Sequence, residues 1–174
     1  MKKPTPEIWT IGHSTRSFEE LATILHSFNI DVLADVRHYP GSRKFPHFNK
    51  EELETSLSQK GIAYRSLTKL GGRRKPRPDS KNTVWRNEAF RGYADYMETE
   101  EFAQGISELT EMALVKRTVY MCSEAVWWRC HRALISDHLK SCGWKVMHIM
   151  KEGRADEHPF TSAYLSQQHI ARGK

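Results

Sequence analysis

The sequence predicts an α/β fold: a mostly parallel sheet of about five strands with helices on both faces. Short apolar runs rich in β-formers alternate along the chain with longer segments of helical periodicity. Parallel strands require such crossovers, and helices then cover the sheet. The strand-like runs also end in polar side chains, as expected where ligands sit outside the carboxyl ends of strands.

Glu7 to Gly12 reads as the first strand, with Ile8, Trp9 and Ile11 as its apolar residues. His13, Ser14, Thr15 and Arg16 form a polar loop behind it. Ser17 and Glu20 have capping-box spacing and start a helix with Leu21, Ile24, Leu25 and Phe28 on one face. Val32 to Val36 is the second strand, interrupted by Asp35 and closed by Arg37. Asn49 opens a second helix through Leu53 and Leu57, which Gly61 ends. Ile62 to Leu67 reads as a third strand. A long irregular, strongly basic stretch follows, about 68–83, containing Gly71-Gly72-Arg73-Arg74-Lys75-Pro76-Arg77-Pro78. It reads either as a mobile solvated loop or as a lid that grips an anion.

Helices are expected over Ala89 to Met97 and Thr99 to Val115, the latter with Phe102, Ile106, Leu109 and Met112 or Ala113 facing the core. Thr118 to Met121 is a strand, Arg129 to Ser141 a helix, Gly143 a cap, and Trp144 to Met150 the last strand. The core spans about 7–150. The pattern fades over 151–174, where only a short helix near Ser162 to His169 is discernible. No repeat or second domain is visible, so 1–174 reads as one domain.

With 174 residues, 39% hydrophobic and 28% charged, the chain suits a globular fold. No apolar run approaches the ~20 residues of a membrane span. Met-Lys-Lys-Pro-Thr-Pro lacks the apolar stretch of a signal peptide, and three cysteines argue against a disulfide framework, so a cytoplasmic location is expected. A net charge of +6 favours an anionic partner, a small molecule such as a nucleotide or a nucleic acid. The oligomeric state is not legible.

Several motifs occur in order: Gly12-His13-Ser14, Asp35-Val36-Arg37, Leu70-Gly71-Gly72, Phe90 to Met97, Met121-Cys122-Ser123-Glu124 and Cys130-His131-Arg132. Together they resemble domain-of-unknown-function family 488 (DUF488), over nearly the whole chain from strand one to strand five. The resemblance implies a compact α/β domain with an important polar cluster and supplies no reaction. Val126-Trp127-Trp128 interrupts the last two motifs and is expected to narrow or cover a site there. The topology is Rossmann-like, but Gly12-His13-Ser14 lacks the spaced glycines of a dinucleotide turn, and no Walker loop is present.

If the sheet is parallel, His13 and Ser14, Asp35 and Arg37, and Cys122 to Glu124 share one rim. Cys122 is the first candidate nucleophile, because Arg129, His131 and Arg132 lie close in sequence and positive charge lowers a thiol pKa. His131 or His13 is its candidate base. Glu124 with Asp35 offers the alternative, since paired carboxylates cleave glycosidic bonds. Asp35 also reads as a structural partner of Arg37. Arg37 and Arg132 are candidate anion holders, as are Arg73 and Arg74 on the basic loop. Tyr93, Tyr96, Trp127 and Trp128 are candidate base-stacking residues. Cys130 reads as a core residue beside Leu134.

No cofactor is expected. A zinc site from Cys122, Cys130 and a histidine is disfavoured, because Cys130 and His131 point about 100° apart on a regular helix. Cys122 and Arg129, with six residues and no glycine between them, form a poor anion cradle. The leading expectation is an enzyme acting on an anionic substrate. The competitor is a nucleic-acid-binding module that uses the basic loop and exposed aromatics.

Overall fold

The computed structural model describes residues 3–173. Six strands form one sheet: β1 (Glu7–Gly12), β2 (Val32–Asp35), β3 (Ala63–Ser66), β4 (Thr118–Cys122), β5 (Lys145–Lys151) and β6 (Arg154–Glu157). Their order is β3-β2-β4-β1-β5-β6. The first five are parallel, and β6 pairs antiparallel with β5. The expected strand number is therefore one short. The missing strand is the polar Arg-Ala-Asp-Glu segment, an edge with no buried residue and hence no apolar pattern to read.

The helices are α1 (Phe18–Ser27), α2 (Lys50–Gln59), α3 (Glu88–Tyr96), α4 (Glu100–Val115), α5 (Arg132–Ser141) and α6 (Ser162–Arg172). Ser17 and Glu20 form the expected capping box on α1. The helix expected from Arg129 starts later, at Arg132, because Trp127–Arg129 is a 3-10 turn.

The alternating side chains of the strands divide the interior. Trp9, Ile11, Leu33, Val119 and Met121 pack against α1 and α2. Ile8, Ala34, Tyr120, Cys122 and Val146 pack against α3, α4 and α5. The crossovers through α1 and α2 move the chain toward β3 on one face, and those through α4 and α5 return it on the other. That is the consequence of uniformly right-handed connections.

The reversal occurs between β1 and β4, whose connections leave on opposite faces. A crevice opens at such a switch point. Register sets Gly12 beside Cys122 and Asp35 beside Met121, which brings three loop starts to one rim. Backbone bonds fasten the first two loops together, His13 N to Cys122 O at 2.9 Å and Ser14 N to Ser123 O at 3.0 Å.

Gly12 is required by that closeness. A Cβ there meets the Glu124 carbonyl oxygen at 1.7 Å and Arg132 Nη2 at 2.9 Å. Gly12→Ala is expected to cost roughly 1–3 kcal/mol of unfolding free energy, the range for forced overpacking. Urea denaturation measures it, and an unchanged midpoint would show that the two loops are not held this closely.

Candidate functional site

A cavity of about 540 Å³ occupies the switch point. Its wall includes His13, Ser14, Arg37, Arg73, Cys122, Glu124 and His131, all seven expected from the sequence. Sequence reasoning missed Thr15, His38, Tyr39, Lys44, Phe45 and Gly72 as wall residues, and assigned Cys130 to the core. Cys130 is 7% exposed and does belong to the core, but it also borders the cavity, its sulfur 2.7 Å from that of Cys122.

Strand alternation and the helix start bring these sulfurs together. Cys122 ends β4 on the face toward α5. Cys130 and His131 precede the first turn of α5 rather than sitting within it, so the 100° separation expected on a regular helix does not hold. His131 Nδ1 lies 3.4 Å from Cys130 Sγ. Its Nε2–H donates to the Val36 carbonyl at 2.9 Å, which leaves Nδ1 as the unprotonated nitrogen facing the thiol. Burial lowers the His131 pKa and favours this neutral form. Gly72 makes room for the ring, since a Cβ there would meet Nδ1 at 2.9 Å.

Arg132 lies beneath the sulfurs and is 1% exposed. Its Nε donates to Cys122 Sγ at 3.0 Å, Nη1 to Thr10 Oγ1 at 3.0 Å and Nη2 to the Glu124 carbonyl at 2.6 Å. It was expected to hold substrate anions, but its Nε, Nη1 and Nη2 each donate inside the protein and it is not on the cavity wall. Among the described residues no carboxylate pairs with it. A buried guanidinium without an anion is costly, so the thiol pair is the available counter-charge.

The charge falls on Cys130. Its thiol is lowered to about 7: burial opposes ionisation, but the hydrogen bond from Cys122, the Arg132 charge and the Arg132 backbone N–H outweigh it. Cys122 is pushed the other way, first by burial and then by its ionised neighbour. The lowered thiol expected at Cys122 is thus displaced to Cys130, because two touching sulfurs do not both ionise.

A polar chain runs on behind Arg132. Because Arg132 donates to Thr10 Oγ1, that hydroxyl donates onward to His148 Nδ1 at 2.6 Å. His148 Nε2–H then donates to His158 Nδ1 at 2.8 Å, and His158 Nε2–H to Asp137 Oδ1 at 2.8 Å. Burial, with the nearby His158 and Arg132, lowers His148 to about 2, so it is neutral. Trp127 stacks on His148 with centroids 4.5 Å apart. It does not reach the cavity, and the tryptophan insert does not cover the site. The one sequence signal for this chain was a histidine inside an apolar strand.

Asp35 is fully buried below the rim and absent from the cavity wall. Its carboxylate accepts from Arg37 Nε at 2.8 Å, Arg37 Nη2 at 2.7 Å and the Tyr64 hydroxyl at 2.5 Å. Both oxygens are engaged, so the expected proton transfer by Asp35 gives way to holding Arg37. Glu124 is exposed at the mouth, and the two do not form a catalytic carboxylate pair. Arg37 Nη1 also approaches His13 Nε2 at 3.5 Å. His13 Nδ1 bonds the Ser14 carbonyl at 2.9 Å, and its ring stacks on Phe48 at 4.3 Å.

Two further expectations are corrected. Tyr93 is 1% exposed and donates to the Leu70 carbonyl at 2.7 Å, so it cannot stack on a ligand. Arg74 covers the Tyr96 ring at 3.7 Å, and only Arg73 of that pair reaches the cavity. The basic stretch is pinned rather than free: Arg77 pairs with Glu98, and Asp95 accepts from Arg77 N at 2.8 Å, Ser80 Oγ at 2.7 Å and Asn82 Nδ2 at 2.7 Å. Among the described residues no three or more His, Cys, Asp or Glu side chains gather as a metal site, and no helix is long and apolar enough to cross a membrane.

A family model described as a domain of unknown function, DUF488, matches residues 17–139. The chain belongs to this family. The match covers both cysteines, His131, Arg132 and the Asp35–Arg37 pair. It is shorter than the resemblance had implied, since His13, Ser14 and β5 of this DUF488 protein fall outside it. Neither a curated protein nor a solved structure shows significant similarity to the chain.

Asp35→Asn leaves Arg37 buried with its charge uncompensated and is expected to cost ~3–5 kcal/mol of unfolding free energy. Equal stability of variant and parent would contradict the pairing. His13 supplies a pH signature. Burial, with a smaller contribution from Arg37, lowers it from 6.5 to about 4 although its bond to the Ser14 carbonyl opposes the shift. The unfolded chain therefore takes up that proton first. Stability from this group is complete above pH 6.5 and declines by ~3 kcal/mol as the pH falls to about 4, at ~1.36 kcal/mol per unit. Urea melts across that window are expected to show a shallower slope for His13→Asn.

Proposed function

We propose that this DUF488 protein is a thiol enzyme acting on an anionic substrate, with Cys130 as nucleophile and His131 as its base. The observation that carries this reading is the sulfur–imidazole–carbonyl arrangement. Cys130 Sγ faces His131 Nδ1, and the Val36 carbonyl fixes the other nitrogen as the protonated one. A nucleophile, a base and a group that orients the base are the parts nucleophilic catalysis needs. His131 Nδ1 takes the thiol proton as sulfur attacks an electrophilic centre, and the same nitrogen returns it to the leaving group. The Arg132 backbone N–H, 3.4 Å from Cys130 Sγ, and the Cys122 thiol stabilise the sulfur anion.

The anionic class rests on the wall. Arg37, Lys44 and Arg73 outnumber Glu124 there, and a charged cleft concentrates oppositely charged ligands. Glu124 at the mouth is assigned to substrate orientation rather than to bond making. The nucleic-acid module has weaker support, because Arg74 and Arg77 are engaged within the protein.

Two alkylating agents of equal size and different charge test this reading. Iodoacetate should outpace iodoacetamide at Cys130 relative to exposed Cys142 by roughly tenfold, the low end of what focused fields give. Lys44→Glu with Arg73→Glu should remove that preference. The iodoacetamide rate at Cys130 should be half-maximal near pH 7 and flat above it, since thiolate accumulates as pH rises through the pKa. A Cys130 that reacts only after unfolding would sink the proposal.

A further inference from the structure

A hydrolytic or transferase thiol needs one sulfur, yet this cavity has two in contact. Cys122 and Cys130 are eight residues apart in sequence and 2.7 Å apart in space, both held in place by Arg132. A second thiol in that position can attack the first sulfur once that sulfur is bonded to another. We propose that Cys122 and Cys130 form a redox dithiol that exchanges with a small anionic disulfide bound in the cavity. This rests on the Cys130 nucleophile of the preceding section and names its substrate class.

The exchange has two steps. The Cys130 thiolate attacks one sulfur of the substrate disulfide R–S–S–R. A Cys130–S–S–R bond forms, the substrate S–S bond breaks, and one R–S⁻ leaves with the proton held at His131. Cys122, its developing thiolate held by Arg132 Nε, then attacks Cys130 Sγ. The Cys122–Cys130 bond forms, the second R–S⁻ leaves, and it takes up the Cys122 proton. In total the protein dithiol loses two electrons and two protons, and R–S–S–R becomes two R–SH. No other reactant is needed.

Three features favour this chemistry. The cavity of about 540 Å³ accommodates a molecule of peptide size, and Arg37, Lys44 and Arg73 suit its carboxylates. The proton that must leave the nucleophile has an acceptor at His131 Nδ1. The attacking form of each thiol in turn lies against the same cation.

The experiment uses full-length protein carrying Cys142→Ser, so that the exposed thiol does not contribute. Oxidised glutathione is added at pH 7, samples are acid-quenched, and peptides and free glutathione are measured by mass spectrometry. The expected result is a transient glutathione adduct on Cys130, then a Cys122–Cys130 linked peptide and two glutathiones released per chain. Cys122→Ser should hold the adduct on Cys130, and Cys130→Ser should give neither adduct nor link. If Cys122→Ser does not fold, the parent's release of two glutathiones with the linked peptide still decides the matter. A lasting adduct on Cys130 in the parent, or no reaction with glutathione while iodoacetate still modifies Cys130, would overturn the dithiol and leave the nucleophile standing. Failure of both reagents would remove both readings.

Discussion

The buried charge of Arg132 is the constraint on which the site depends. A guanidinium that is 1% exposed and has no carboxylate partner among the described residues must be compensated by dipoles or by an anion made locally. Its three contacts supply both. The Glu124 carbonyl and the Thr10 hydroxyl satisfy two donors, and Cys122 receives the third. The thiol pair then holds the negative charge, with Cys130 lowered to about 7. The same side chain ties β1, β4 and the start of α5 into one unit.

Behind that charge the interior is organised to keep it fixed. Thr10, His148, His158 and Asp137 form a chain in which every hydrogen points away from Arg132 and toward the Asp137 carboxylate. One direction of donation fixes both histidine tautomers. The Asp35–Arg37–Tyr64 cluster does the parallel work at the neighbouring strand end, presenting Arg37 to the cavity while its counter-ion stays buried. Two carboxylates thus act on the site from within the core, without themselves reaching the cavity wall.

The elements of the fold were legible where burial imposes a period. Ile8, Trp9 and Ile11, the capping box at Ser17 and Glu20, and the stripe of Phe102, Ile106 and Leu109 each report one local structure. Strand β6 was not legible, because an edge strand with both faces near solvent carries no apolar alternation. The start of α5 was misplaced because Arg129 to His131 can open a helix by composition, whereas Arg129 closes a 3-10 turn and α5 begins at Arg132.

The sequence by itself determined the alternation of strands and helices, the polar character of the strand ends, and seven of the side chains now found around the cavity. Those are local properties, readable from hydrophobic period and residue type. Tertiary structure alone decided the strand order, the switch point between β1 and β4, and the partner of each polar group. These depend on which distant segments come within about 3 Å of each other, and no spacing along the chain encodes that. For that reason Cys130, a core residue as expected, also borders the cavity, while Asp35, Arg132, Tyr93 and Arg74 were drawn from the cavity into the protein.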